Sequence, residues 1–333
     1  MGRIAGLVLL GVGSLGGWGS LGRAAQTQTP AVKATGVGDA RVRRSIADLR
    51  PVATFRVGGD PDWMAVTADA VWVTVDKRNA VVRLDARTNK VDGEVTVAKP
   101  CSGLAAGFGS LWAPSCGDHD LVRVDLRTRK VVGRIAAVPA DSEGGIAVGA
   151  GSVWMMTDSK GGPDGVLLRI SPGKNAVVAR IRVPAGSYAA AFGGGSVWVT
   201  STGQNLLTRV DATTNKVVSE TKVGKGPRFL TVGAGSVWTL NQGDGTVSRV
   251  SMKSGRLTAT IRAGLAGHGG EIAYGAGAVW ATLEGFPMTR IDAGTNRVMA
   301  QWVGKGGDSI RVGLGSVWLT DYDGGVVWRV GVK

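Results

Sequence analysis

Short runs in which apolar and polar residues alternate recur along the chain, each closed by Gly, Asn or Asp. A period of two over four to six residues predicts β-strands. The stretch from 229 to 262 shows one unit. Residues 229–232 form a short apolar strand a, and Gly233-Ala234-Gly235-Ser236 is a turn. Strand b is 237–240, strand c is the alternating 246–250, and strand d is 257–262. The signature Gly-x-Gly-[Ser/Ala]-[Val/Leu]-Trp opens strand b and ends at Trp112, Trp154, Trp198, Trp238, Trp280 and Trp318. A degenerate copy, Thr67-Ala68-Asp69-Ala70-Val71-Trp72, precedes them. The Trp residues stand 38 to 44 positions apart, the length of a four-stranded propeller blade. Seven copies predict an all-β, seven-bladed β-propeller over residues 51–333.

The ends of the chain predict how the ring closes. The seventh copy stops after a strand c at 327–330, whereas Ala53-Thr54-Phe55-Arg56-Val57 resembles the strand d segments. The N-terminal strand should therefore complete the last blade and remove its open edge. Between strands c and d most copies carry Asp or Ser, then Asn or Gly at the fifth position. Examples are Asp85–Asn89, Asp211–Asn215 and Asp292–Asn296. The first residue hydrogen-bonds the backbone ahead of it, and the fifth suits a left-handed conformation. Arg129 occupies the fifth position in the second copy, so strain or a different turn is expected there. Strand c also repeats an Arg (Arg83, Arg123, Arg169, Arg209, Arg249, Arg290, Arg329). In most copies Asp or Ser follows two residues later, and a local, structural pairing is expected.

Composition agrees with an all-β chain. Of 333 residues, 54 are Gly and 11 are Trp, and charged residues make up 19%. That profile disfavours a coiled coil or a disordered chain. Two His and two Cys exclude a His- or Cys-based metal cage. The net charge is +14, with seven Arg or Lys against Asp39 and Asp48 in residues 1–50. No dense basic run with interleaved aromatics follows, so nucleic acid is not an expected partner. Loose attraction to a membrane or an acidic polymer is compatible with the charge.

Residues 1–24 read as a signal peptide. Arg3 precedes the uncharged stretch 4–22, and Gly22-Arg23-Ala24 offers a cleavage site. Export to the periplasm or exterior is expected, with a membrane anchor over 4–22 as the alternative. Residues 25–50, polar and basic, read as a disordered leader. Cys101 and Cys116 flank the second a–b turn, Gly107-Phe108-Gly109-Ser110, at equal distances. They should face each other across the hairpin and form a disulfide, as export permits.

Trp72-Val73-Thr74, Trp198-Val199-Thr200 and Trp318-Leu319-Thr320, with the Thr88-Asn89-Lys90-Val91 and Thr214-Asn215-Lys216-Val217 turns, resemble the YVTN-type propeller repeat. The Trp-rich blades are also similar to the virginiamycin B lyase family. That resemblance implies a seven-bladed propeller that opens a cyclic lactone by elimination, using magnesium with His and Glu on one face. The family's Trp-Phe-Thr-Glu blades are matched here in their Trp, with the acid nearest at Leu283-Glu284. Its paired His are missing, the two His of this chain being His119 and His268.

A site is expected where the d–a and b–c loops surround the channel. Counting back ten and nine residues from each Trp places Asp62, Trp63, Tyr188, Arg228, Phe229, Glu271, Asp308 and Ser309 around one mouth. Such convergence fits a pocket. The b–c loops add Asp76, Asp158, Gln204, Glu284, Asp321 and Tyr322. The leading expectation is a monomeric, non-catalytic binding protein for a small molecule, peptide or protein partner. Asp62, Trp63, Tyr188, Arg228, Phe229 and Asp308 are its expected contacts, and no cofactor is expected. The alternative is the lyase, with His268 as base and Glu271 and Glu284 holding magnesium.

Overall fold

A computed structural model describes residues 33–137, 139, 144–157 and 164–332. The expected signal peptide, residues 25–32 and Asp158 lie outside the described residues. Seven antiparallel sheets form the ring, each a meander from an inner strand a to an outer strand d. Blade 1, for example, is Pro61–Val66, Ala70–Val75, Ala80–Asp85 and Lys90–Thr96. Blade 7 closes as the chain ends predict. Ala53–Arg56 pairs antiparallel with Val326–Gly331, in the register Ala53↔Arg329 and Phe55↔Val327.

The repeat signature explains how blades stack. All seven strand b Trp side chains are buried. From Trp112 to Trp318 each indole N–H donates to the carbonyl of the first signature Gly, at 3.0–3.2 Å. That Gly is required by the neighbouring blade: a Cβ on Gly149 would lie 2.0 Å from Phe192, and one on Gly233 would lie 1.9 Å from Tyr274. The second Gly and the residue before it adopt positive φ, as at Ala234 (48°) and Gly235 (68°), giving a tight primed hairpin turn. Blade 1 turns differently, with Thr67 bonded to Ala70, and has no need of Gly.

The repeated Arg clasps consecutive blades. Its guanidinium covers the Trp of its own blade, 4.7 Å from the ring centre for Arg249 and Trp238. In blades 2, 3, 4, 5 and 7 its Nε donates to the signature Ser, as Arg249 does to Ser236 at 2.9 Å. Its Nη1 donates to the turn Asn of the next blade: Arg123 to Asn175, Arg169 to Asn215, Arg249 to Asn296 and Arg329 to Asn89, at 2.7–3.0 Å. The expected pairing with the acid two residues later holds, among the described residues, only for Arg83 and Asp85 at 3.6 Å. The others reach further because a long, planar guanidinium can span the gap between blades.

Blades 1 and 6 carry Ala70 and Ala278 in place of the Ser, and blade 2 has Arg129 where the Asn would be. Arg83 instead pairs with Asp69 and Asp92, and Arg129 joins it on Asp92. Arg129 keeps the ordinary turn at φ 59°, with its N–H bonded to the Asp125 carbonyl. Of the two expectations, left-handed strain is the one realised.

The expected disordered leader is corrected from residue 33 onward. Arg43–Ser45 adds a fifth, parallel strand to the outer edge of blade 6, beside Gln301–Val303. Val37 N–H donates to the buried Gln301 Oε1 at 2.8 Å, and Leu49 packs beside Trp302 and Trp328. Backbone pairing to an open edge is independent of side-chain pattern, so a polar, basic segment can be held there.

Cys101 and Cys116 form the disulfide, with Cα atoms 5.8 Å apart. The ladder has the expected register, Ala105↔Trp112 and Gly107↔Ser110. Strand a begins only at Ala105, and beyond it Cys116 N–H bonds to Lys99 O.

Candidate functional site

Each strand a begins at the mouth of the central channel, and the Thr two residues after the blade Trp fixes its first residues. Thr74 Oγ1 accepts from Trp63 N–H at 2.9 Å, Thr282 from Glu271 N–H at 2.6 Å, and Thr320 from Ser309 N–H at 2.7 Å. Thr200 and Thr282 also donate to the next blade, to the carbonyls of Arg228 and Asp308. The Trp-x-Thr motif thus pins the ring positions of several blades to one level.

Trp63 of blade 1 and Phe229 of blade 5 meet across the axis, with ring centres 5.8 Å apart, and both are buried. They floor the mouth and cap a channel cavity of about 330 Å³ walled by small strand a residues such as Ala105, Ala147 and Ala190. The side chains around this floor are divided by charge. On blades 4 and 5 the Arg228 guanidinium lies 5.4 Å from the Tyr188 ring centre and 5.8 Å from that of Phe229. Burial pushes its pKa down from the usual arginine value.

Carboxyl groups gather on blades 6, 7 and 1. Burial, the charges of Asp308 and Glu271, and a hydrogen bond with Asp308 push the Asp62 carboxyl well above the usual carboxylate range. Two carboxyl groups that close hold one proton more readily than two charges. Asp308 Oδ1 also accepts from Gly270 N–H at 3.0 Å. Glu271 is buried and fully engaged: Ser309 Oγ donates at 2.6 Å, Ile310 N–H at 3.2 Å, and Arg311 forms an ion pair. Asp60, also buried, accepts from Lys77 N–H at 2.9 Å and from Tyr322 OH at 3.0 Å. Partial burial and this bond push the Tyr322 phenol up to about 12.

The structure brings Asp62, Trp63, Tyr188, Arg228, Phe229 and Asp308 to one mouth. Asp60 and Arg311 belong to it as well and stand outside the two positions counted back from each Trp; Arg311 lies opposite Trp318, where the other blades carry Ala or Thr. The lyase residues are not gathered in the same way. His268 and Glu284 are exposed and meet through the backbone, with Glu284 N–H 3.5 Å from the His268 carbonyl. Glu271 directs its carboxylate into blade 7. Among the described residues no three His, Cys, Asp or Glu side chains are arranged to hold a metal ion. The magnesium set implied by the resemblance therefore does not fit these side chains, since Glu271 already satisfies a cation. Asp118 and Asp120, beside His119, are both paired with Arg134.

No protein-family model and no curated protein matches this chain. Among solved structures it is similar to a streptogramin B lyase, with a TM-score of 0.69 and 19% identity. The likeness covers 83% of this chain and 95% of the lyase. It is also similar to the computationally designed Ika8 protein, with a TM-score of 0.64, 10% identity, and 84% and 100% of the two chains covered. At these identities the likeness is one of fold.

Proposed function

We propose that this chain is an exported propeller that binds a small molecule, peptide or protein partner at its channel mouth without transforming it. The observation that carries this reading is the two-poled mouth over a Trp63–Phe229 floor. Arg228 stands on one side, and Asp62 and Asp308 on the other. Opposed charges around an apolar floor orient a ligand that carries both signs, as a short peptide does. Export rests on the N-terminal stretch after Arg3 and on the Cys101–Cys116 pair. N-terminal sequencing of the protein recovered outside the cytoplasm tests it, and a chain retained inside with residue 1 intact would overturn it.

Binding is tested by thermal shift against short peptides bearing one charge of each sign. A peptide at a hundredfold excess over its dissociation constant stabilises by about 2.7 kcal/mol, and Asp308→Asn should abolish the shift. A panel that shifts neither wild type nor variant argues against the mouth as a peptide site.

A second reading is the magnesium-dependent lyase with His268, Glu271 and Glu284, which the likeness of fold supports and the engaged Glu271 carboxylate opposes. Magnesium titration separates the two. A rise in unfolding temperature that disappears in His268→Ala/Glu284→Ala would favour the lyase and justify assays on cyclic lactones.

A further inference from the structure

At the end of the ring away from the mouth, exposed cations and exposed apolar side chains stand side by side. In an antiparallel meander the c–d turns lie opposite the d–a and b–c loops. Each c–d turn of blades 1 to 6 carries an exposed cation: Lys90, Lys130, Lys174, Lys216, Arg256 and Arg297 in turn. Arg87, Arg127 and Lys253 add a second in blades 1, 2 and 5. The four turn carboxylates, Asp85, Asp125, Asp211 and Asp292, are drawn inward. Asp211 Oδ1 accepts from Thr213 N–H at 3.1 Å, from Thr214 N–H at 2.7 Å and from its hydroxyl at 2.9 Å. The cations therefore point to solvent while the carboxylates are held by the backbone.

Directly after these cations the chain exposes apolar side chains, and a regular device puts them there. In each of blades 1 to 6 strand d has a β-bulge against the repeated Arg of strand c, which leaves one residue unpaired. A bulge re-aims the extra side chain. In blades 2, 3, 4 and 6 that residue is Val132, Val178, Val218 or Met299, and these are 46–53% exposed. In blades 1 and 5 it is Asp92 or Thr258, which serve the clasps through Arg83 and the Arg249 carbonyl.

We propose that this face docks on an anionic phospholipid bilayer. The turn cations meet the phosphates, the bulge residues enter the interface, and the channel mouth faces away from the lipid. A soluble polyanion would use the cations alone. Apolar residues set beside them at four stations match a surface with hydrocarbon beneath its charge. The inference is independent of what the mouth binds.

The test is sedimentation of the full chain with phosphatidylcholine vesicles and with vesicles containing one quarter phosphatidylglycerol. The readout is the ratio of the two affinities, which cancels any binding common to both kinds of vesicle. Each cation removed should lower that ratio about fivefold, so Lys130→Gln/Lys174→Gln/Lys216→Gln should lose on the order of a hundredfold. Val132→Ser/Val178→Ser/Val218→Ser should weaken anionic binding several-fold. Lys225→Gln/Lys305→Gln, at the mouth end, should leave it unchanged. All three variants alter exposed side chains, and tryptophan fluorescence verifies their folding. Three results would each overturn the proposal. One is a wild type with no anionic preference, and another is an equal loss in the mouth-end variant. The third is unchanged binding in the serine variant together with full competition by soluble polyphosphate, which would identify a polyanion face instead.

Discussion

The clasp between blades gives a prediction whose size follows from its geometry. Asn296 does two things in the blade 6 turn: it adopts φ 59°, and its Oδ1 accepts from Arg249 Nη1 at 3.0 Å. Asn296→Gly keeps the left-handed backbone at ease and removes only the bond. A hydrogen bond to a charged group contributes about 1.5–3 kcal/mol. Arg249 keeps its bonds to Ala293 O and Ser236 Oγ, so the low end, about 1.5 kcal/mol, is expected. Asn296→Ala removes the same bond and adds a left-handed residue without Asn's tolerance, a further cost of about 1 kcal/mol. The expected order of stability is therefore wild type, then Gly, then Ala, with losses of about 1.5 and 2.5 kcal/mol. In a ring of this size that is about 3 and 5 °C in unfolding temperature. Urea unfolding followed by tryptophan fluorescence measures both. A double-mutant cycle with Arg249→Met isolates the shared term, which should be about 1.5 kcal/mol. Blade 5 offers the converse, since Gly255 stands where Asn would clasp Arg209. If Asn296→Gly costs nothing, or the cycle shows no coupling, the turn Asn serves the backbone alone and the clasp is incidental.

Three further outcomes follow from the same structure. Phe55→Ala should cost about 3–5 kcal/mol in urea unfolding, since Phe55 is 2% exposed and packs 5.6 Å from Trp318. A loss under 1 kcal/mol would contradict closure through this strand. Replacing Cys101 and Cys116 together by Ala should cost roughly 3 kcal/mol for a loop of 15 residues. A disulfide without that role would leave the oxidised wild type and the double variant equally stable. Asp62→Asn should alter the pH dependence. The native state holds a proton on Asp62 that the unfolded chain releases above the usual carboxylate range. Wild-type stability should therefore fall relative to Asp62→Asn as pH rises from about 4. A wild type that gains stability relative to Asp62→Asn as pH rises would have the wrong sign.

What could be read from the sequence was what repeats. Seven Trp at a steady interval gave the blades, the unmatched strands at the two ends gave the closure, and equal spacing about one turn gave the disulfide. Counting back from each Trp also found the mouth, because Trp-x-Thr pins the start of strand a. Single features stayed hidden. Arg311 stands opposite its blade Trp, where the other blades carry Ala or Thr, and only folding brings Arg311 onto Glu271 and Tyr322 onto Asp60. The direction of the Glu271 carboxylate, which separates a buried ion pair from a metal ligand, has no trace in spacing. Nor has the strand Arg43–Ser45, all of whose residues are exposed and which pairs by backbone alone. The repeated Arg was visible, yet its partner lay a blade away.

The pairing of Ala53 with Arg329 also sets the order of events in the life of the chain. The first strand of the ring made by the ribosome bonds to the last, so no partial product can close. Until residues 326–331 emerge, blade 7 does not exist and Ala53–Arg56 has no neighbour to bond. Closure makes the contact of greatest sequence separation in the ring, and its loop-closure entropy makes that step slow. On the proposed export route, a chain that stays open until synthesis ends can still be threaded through a membrane pore.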